Sequence, residues 1–161
     1  MIGDFERIAD HGAGLVKASQ ELREKELVFT PAAMGELGVM SAAVEEVVTL
    51  TLHAYLDGDV AAARNVEPLE QVIDGLRDKM RLNHISRMQH GECTIVAGFV
   101  WTDILTDMQR TADHCSNIAA CIIDMSLSDA NMNLHESVRA QRAGDPEFDR
   151  KFAEYSKRFA V

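Results

Sequence analysis

The thirty-four residues from Glu92 to Met125 limit what this chain can fold into more than any other stretch. Apolar residues recur at Ile95/Val96, Phe99/Val100, Ile104, Met108, Ala112, Cys115, Ile118/Ala119 and Ile122, and no proline interrupts them. This 3.6-residue rhythm predicts one long amphipathic helix, roughly 50 Å from end to end at about 1.5 Å per residue. Polar residues flank its apolar seam. Asp103, Asp107, Arg110, His114 and Asn117 fall on one side, Gln109 and Asp113 on the other. Polar groups at a seam are half-buried, so each needs a partner.

The same wording opens the chain. Asp4-Phe-Glu-Arg-Ile-Ala-Asp-His11 aligns with Asp107-Met-Gln-Arg-Thr-Ala-Asp-His114, identical at both Asp, the Arg, the Ala and the His. The helical phase agrees as well. Phe5, Ile8, Gly12 and Leu15/Val16 form a seam with Asp4, Arg7 and His11 on one flank and Glu6 and Asp10 on the other. Two copies presenting one face are expected of an internal repeat of about a hundred residues.

These paired phrases resemble the acidic helix motifs of the PhoU family. Its Glu/Asp-x-x-x-Asp signature occurs once near the end of each of two three-helix repeats. Asn83-His-Ile-Ser-Arg-Met-Gln-His-Gly-Glu-Cys93, the following Asp103-Ile-Leu, His135-Glu-Ser-Val-Arg139 and the tail from Phe148 to Phe159 are similar to the version at the C-terminus of bacterial sodium/phosphate cotransporter-like proteins. The resemblance covers nearly the whole chain. It implies an all-α, antiparallel helical bundle: residues 1–27 as the last helix of a first repeat, 31–126 as a complete three-helix repeat, and 133–161 as a helical tail. It further implies that two helices of the first repeat, and transmembrane helices before them, precede this segment in a longer parent.

Composition agrees with this reading. An apolar fraction of 47% with only 6% aromatics favours helices, and 161 residues suffice for one core. A net charge of −10 disfavours binding to nucleic acid or to an anionic membrane surface. Cys93, Cys115 and Cys121 are odd in number and lack Cys-x-x-Cys spacing, which suits a reducing, cytoplasmic compartment. No run of eighteen apolar residues is present, so direct membrane insertion of this segment is not expected.

Element boundaries are legible too. Thr30-Pro31 starts a helix to about Asp57, Asp57-Gly-Asp59 turns the chain, and a third helix runs from Val60 to about Gln89 with Pro68 inside it as a candidate bend. A short helix is expected near 133–142, and Asp145-Pro146 opens a last one with Phe148, Phe152, Tyr155 and Phe159 along one side. The histidines His53, His84, His90 and His135 read as surface or capping residues.

Three carboxylate pairs stand four residues apart: Glu6/Asp10, Glu70/Asp74 and Asp103/Asp107. Both members of such a pair lie on one helix face and repel, so burial demands a cation, an arginine or a shared proton. Oxygen donors of this kind suit magnesium, manganese or calcium, and with His11 or His114 nearby also iron or zinc. The family resemblance implies metal clusters at such motifs. The candidate ligands are Glu6, Asp10, Asp107, Asp113, Glu70 and Asp74, with Arg7 and Arg110 balancing charge. Gln109 departs from the pattern, because an amide offers an oxygen but no charge. The other reading makes these carboxylates structural partners of Arg7 and Arg110 and leaves no metal.

Enzymatic activity is not expected. The chain has no Glu-x-x-His of the di-iron bundles, no glycine-rich phosphate loop and no nucleophile elbow. A regulatory domain tied to an upstream transporter is the first functional expectation. A freestanding phosphate-signalling regulator and a ligand-free interaction bundle are the alternatives. Without the first repeat's other helices the seam of helix one is open, which predicts a homodimer or an exchange of helices that covers it.

Overall fold

The computed structural model describes residues 1–126 and 145–161. The helix expected near 133–142, and His135 with it, lie outside the described residues. The elements are α1 (Ile2–Glu24), α2 (Pro31–Asp57), α3 (Val60–Gln89), α4 (Ile95–Ser126) and α5 (Pro146–Arg158). The fold is an all-α helical bundle, as the periodicity and the resemblance predict.

Local chemistry sets the boundaries. Thr30 accepts from the Ala33 amide and precedes Pro31 at the first helical position; Asp59 accepts from Ala61 and Ala62; Asp145 accepts from Glu147. Gly58 takes the left-handed conformation, at φ 65°, that ends α2. Helix α1 stops at Glu24, short of the expected Leu27, where Glu26 turns to φ 51° and the Leu27 amide bonds the Leu22 carbonyl. Pro68 does not break α3: it is buried within a continuous helix, its apolar ring part of the core.

Helix α4 is the centre of the bundle, packed against α1, α2 and α3, while α5 lies on α3. Contacts set the directions. Asp4 meets His114 and His11 meets Asp107, so α1 and α4 are antiparallel. Glu36 meets Arg87, so α2 and α3 are antiparallel as well. The core runs through Met40, Val47, Leu69, Ile73, Trp101 and Leu105, all fully buried. On α5, Tyr155 and Phe159 are buried against the bundle and Arg158 pairs with Glu46 of α2, while Phe152 at the stripe's edge stays 37% exposed.

Several seam positions differ from expectation. Ile95, Val96 and Phe99 are exposed. At the start of α4, Val100 is buried as expected, and Ala97, Gly98 and Trp101 are buried with it. The cause is the neighbour that α3 provides there: a β carbon on Gly98 would stand 2.7 Å from Nε2 of His84. His84 is therefore not a surface residue. It is 5% exposed, stacked on Trp101 at 5.8 Å, and burial together with the Arg87 charge holds its pKa below the usual histidine value.

Helix α2 is long and apolar enough by composition to cross a membrane, with a mean hydropathy of 1.3 over eighteen residues. Here Ala33, Met40, Ala43, Val47, Thr51 and Ala54 are buried, and α2 packs on α3 and α4.

Candidate functional site

The two copies of the repeated motif meet each other. His11 Nδ1 lies 2.9 Å from Asp107 Oδ1, and His114 Nδ1 lies 3.2 Å from Asp4 Oδ1. The imidazoles stack between them at 5.6 Å. The arrangement is reciprocal, each helix lending a carboxylate to the other's histidine, so the repeat acts as an approximate twofold axis between α1 and α4. Gly14 allows this approach: a β carbon there would stand 2.2 Å from Asp107 Oδ2. Asp107 is thus committed to His11 on the flank facing α1, and Asp103 lines the groove beside it with Lys17 and Glu21.

The other flank of each motif has a different fate. On α1, Glu6 and Asp10 point to solvent; Asp10 is 61% exposed and pairs with Arg7 at 3.6 Å. On α4, Gln109 and Asp113 face α3. The amide of Gln109 donates to Asp113 Oδ1 at 2.6 Å, and Arg110 approaches Asp113 Oδ2 at 3.2 Å from outside. Opposite them α3 presents Glu67, Glu70 and Asp74, spaced three and four apart on one face. The candidate site is this meeting of α3 and α4.

Of the six predicted ligands, Glu70, Asp74 and Asp113 come together, Asp107 turns to α1, and Glu6 and Asp10 lie apart on the surface. Sequence reasoning missed Glu67, which is 9% exposed, and Ser116, whose hydroxyl donates to Glu67 Oε2. The signal was available for both. Glu67 is one turn before Glu70 and Ser116 is three residues after Asp113, so each extends a face already marked.

Negative charge concentrates here. Burial first, then the charges of Glu67 and Asp113, the hydrogen bond to Asp113 and the charge of Asp74 push the Glu70 carboxyl up to about 8. At neutral pH it keeps its proton and shares it with Asp113. Asp74 Oδ1 is buried and accepts no hydrogen bond, with Arg77 Nη1 3.3 Å away off the bonding direction. Among the described residues, no three His, Cys, Asp or Glu side chains stand assembled as a ligand set. The donor chemistry nevertheless fits a hard cation: several carboxylates, an amide, an orphaned buried oxygen, and a proton held where a cation would neutralise the same charge. By contrast Cys115, buried in the core, is pushed up to about 11 and offers no thiolate.

A family model described as the PhoU domain matches residues 37–122, more than half of the chain. The chain belongs to the PhoU family. It is 26% identical over 141 residues to the phosphate-specific transport system accessory protein PhoU homolog 1 of Thermotoga maritima, a match that covers 88% of this chain and 59% of that protein. A PhoU homolog of Streptococcus pneumoniae is 26% identical over 122 residues, covering 74% of this chain and 54% of the relative. The chain therefore spans little more than half the length of these relatives. No solved structure matches it. Within the PhoU match lie Glu67, Glu70, Asp74, Gln109, Asp113 and Ser116, whereas α1 with Glu6 and Asp10 precedes it.

Proposed function

We propose that this chain is a non-enzymatic PhoU-type regulatory domain that works at the cytoplasmic face of the membrane in phosphate transport, and that it senses a metal cation at the α3–α4 acidic site. Membership of the PhoU family supports the class, and both relatives are named as accessory proteins of phosphate-specific transport systems. The observation that carries the ligand is the half-buried carboxylate cluster of Glu67, Glu70, Asp74 and Asp113. Glu70, Asp74 and Asp113 would hold the ion, with Gln109 offering an amide oxygen; Arg110 and Arg77 sit outside as charge balance. The ion supplies positive charge that joins the two helices, and its loss leaves the proton shared by Glu70 and Asp113. A cation thus changes how firmly α3 is tied to α4, and that coupling is the proposed regulatory output.

The partner in this reading is the transmembrane part of a sodium/phosphate cotransporter-like parent. The phrase from Asn83 to Cys93 and the tail from Phe148 favour it over a freestanding regulator. The expected test result concerns the metal. Well-dialysed protein should retain iron, zinc, manganese or magnesium by elemental analysis, and Asp113→Asn should lose most of it while keeping its helical circular dichroism. An unfolded Asp113→Asn with no metal in the wild type would instead make the cluster a structural joint.

Homodimerisation is part of the same proposal. Ile2 and Val16 of α1 are 86% and 61% exposed, beside exposed Ala9, Gly12 and Ala13. A second copy would cover this apolar strip. Light scattering should give twice the 17.8 kDa chain mass, and Val16→Glu should return the species to monomer. A wild-type monomer at every concentration would refute the dimer.

A further inference from the structure

The turn between α3 and α4 gathers donors that the acidic site leaves unused. His84 and Met88 stand four residues apart on α3 and share one face. Beyond them Gly91 takes φ 72°, its amide bonds the Met88 carbonyl and the Glu92 amide bonds the Arg87 carbonyl, so the chain folds back on the helix end. Cys93 thereby returns to His84, its Sγ 3.9 Å from Nδ1 and 4.0 Å from Nε2. We propose that Cys93, His84 and Met88 form a binding site for a soft monovalent cation, copper(I). The proposal is independent of the cation reading above and uses none of its residues.

Three features carry it. First, the donors border one space. A β carbon on Gly98 would stand 2.7 Å from His84 Nε2 and 3.3 Å from Met88 Sδ, so the missing side chain leaves room between them, and the Cys93 thiol borders the same nitrogen. Second, His84 is 5% exposed, yet among the described residues its ring nitrogens meet no oxygen or nitrogen partner, only the thiol. Buried polar groups are ordinarily hydrogen-bonded, and a thiol is a weak partner. The imidazole lone pair is therefore available to a metal. Third, the spacing fits. Around zinc, another closed-shell ion, thiolate sulfur at about 2.3 Å and imidazole nitrogen at about 2.0 Å stand roughly 3.5 to 3.7 Å apart at tetrahedral to trigonal angles. The observed 4.0 Å reaches that range with a small shift of the Cys93 side chain.

The donor set selects the ion. Thiolate and thioether sulfur with one imidazole favour copper(I) over magnesium, manganese or calcium. Charge agrees, because binding releases the Cys93 thiol proton to solvent and the thiolate neutralises a monovalent ion. The Arg87 guanidinium, one turn from His84, is spent on Glu36 through two bonds. Cys93 and Met88 are half-buried, which leaves a route from solvent to the buried imidazole.

The test is anaerobic titration of the full chain with copper(I) in competition with bicinchoninate. Wild type is compared with Cys93→Ser, Met88→Leu, Cys121→Ser and Asp113→Asn, with thermal melts as the control for folding. Wild type should hold one ion per chain, and X-ray absorption should show both sulfur and nitrogen neighbours at the copper. Cys93→Ser should weaken binding by more than about 100-fold and Met88→Leu by about 10-fold, since even outer-shell partners are worth about 10- to 100-fold. Met88→Leu conserves volume, so it reads the thioether even where Cys93→Ser fails to fold. Cys121→Ser and Asp113→Asn should bind as wild type. Copper(I) held equally well by Cys93→Ser, or lost with Cys121→Ser, would overturn the site. So would a wild type that binds no copper(I), or that takes up Zn²⁺ in its place; neither result touches the acidic site, which Asp113→Asn tests separately.

Discussion

Glu36→Ala is expected to lower stability by about 3 to 5 kcal/mol, because it strands a buried positive charge. Arg87 is 8% exposed and its guanidinium meets Glu36 through two parallel bonds of 2.8 and 2.9 Å, while Asn83 donates to the same carboxylate at 2.9 Å. Arg87 also lies over the ring of fully buried Trp101 at 5.5 Å, and its Nε is buried without a partner. Removing Glu36 leaves no counter-charge in these contacts. For a chain of this size the melting temperature should drop by roughly 10 °C. Glu36→Gln keeps hydrogen-bond acceptance and should cost less. Replacing both partners, Glu36→Leu with Arg87→Met, should recover much of the loss, since a buried ion pair exchanged for apolar groups is often neutral. Urea unfolding of the four proteins decides it. A loss under 1 kcal/mol for Glu36→Ala would show that Arg87 escapes to solvent and that the pair is not what fastens α2 to α3.

The second large effect is a stability that falls as pH rises. Glu70 ionises at about 8 in the folded chain against 4.5 ordinarily. The folded state therefore holds a proton that the unfolded state has released. Its contribution is complete below pH 4.5, declines by up to about 1.4 kcal/mol per pH unit above that, and is gone once pH passes 8. In chelator, wild type should lose on the order of 3 kcal/mol from this group between pH 5 and pH 8. Glu70→Gln, a permanent mimic of the protonated acid, should match wild type near pH 5 and exceed it at pH 9. Saturating metal should flatten the wild-type curve, because a cation replaces the proton. Identical pH profiles for the two proteins would refute the shared proton at this seam.

Much of the site was legible because helical phase is local. The 3.6-residue period separates Asp107, His114 and Asn117 from Gln109 and Asp113 on α4 without any knowledge of neighbours, and the structure keeps that division. Pairing is another matter. Asp107 and Asp113 look equally suited to a cation in sequence, yet one meets His11 and the other Glu70. Glu6 and Asp10 match the Glu/Asp-x-x-x-Asp pattern at both positions, yet they stand exposed to solvent. The sequence drew attention to His84 only as a surface histidine. It could not show that Trp101, Arg87 and Glu36 would enclose it.

Sequence by itself determined the helices, their caps at Thr30, Asp59 and Asp145, the repeat that opens α1 and recurs in α4, and the family. These depend on residues within a few turns of one another. Only the tertiary structure decided which carboxylates share a site, that Glu67 and Ser116 join them, and that Asp4 and Asp107 are spent on the opposite helix's histidines. Those outcomes depend on the axial offset and rotation of one helix against another. That offset follows from how bulky and small side chains interlock along the whole interface, from Gly14 under Asp107 to Gly98 under His84.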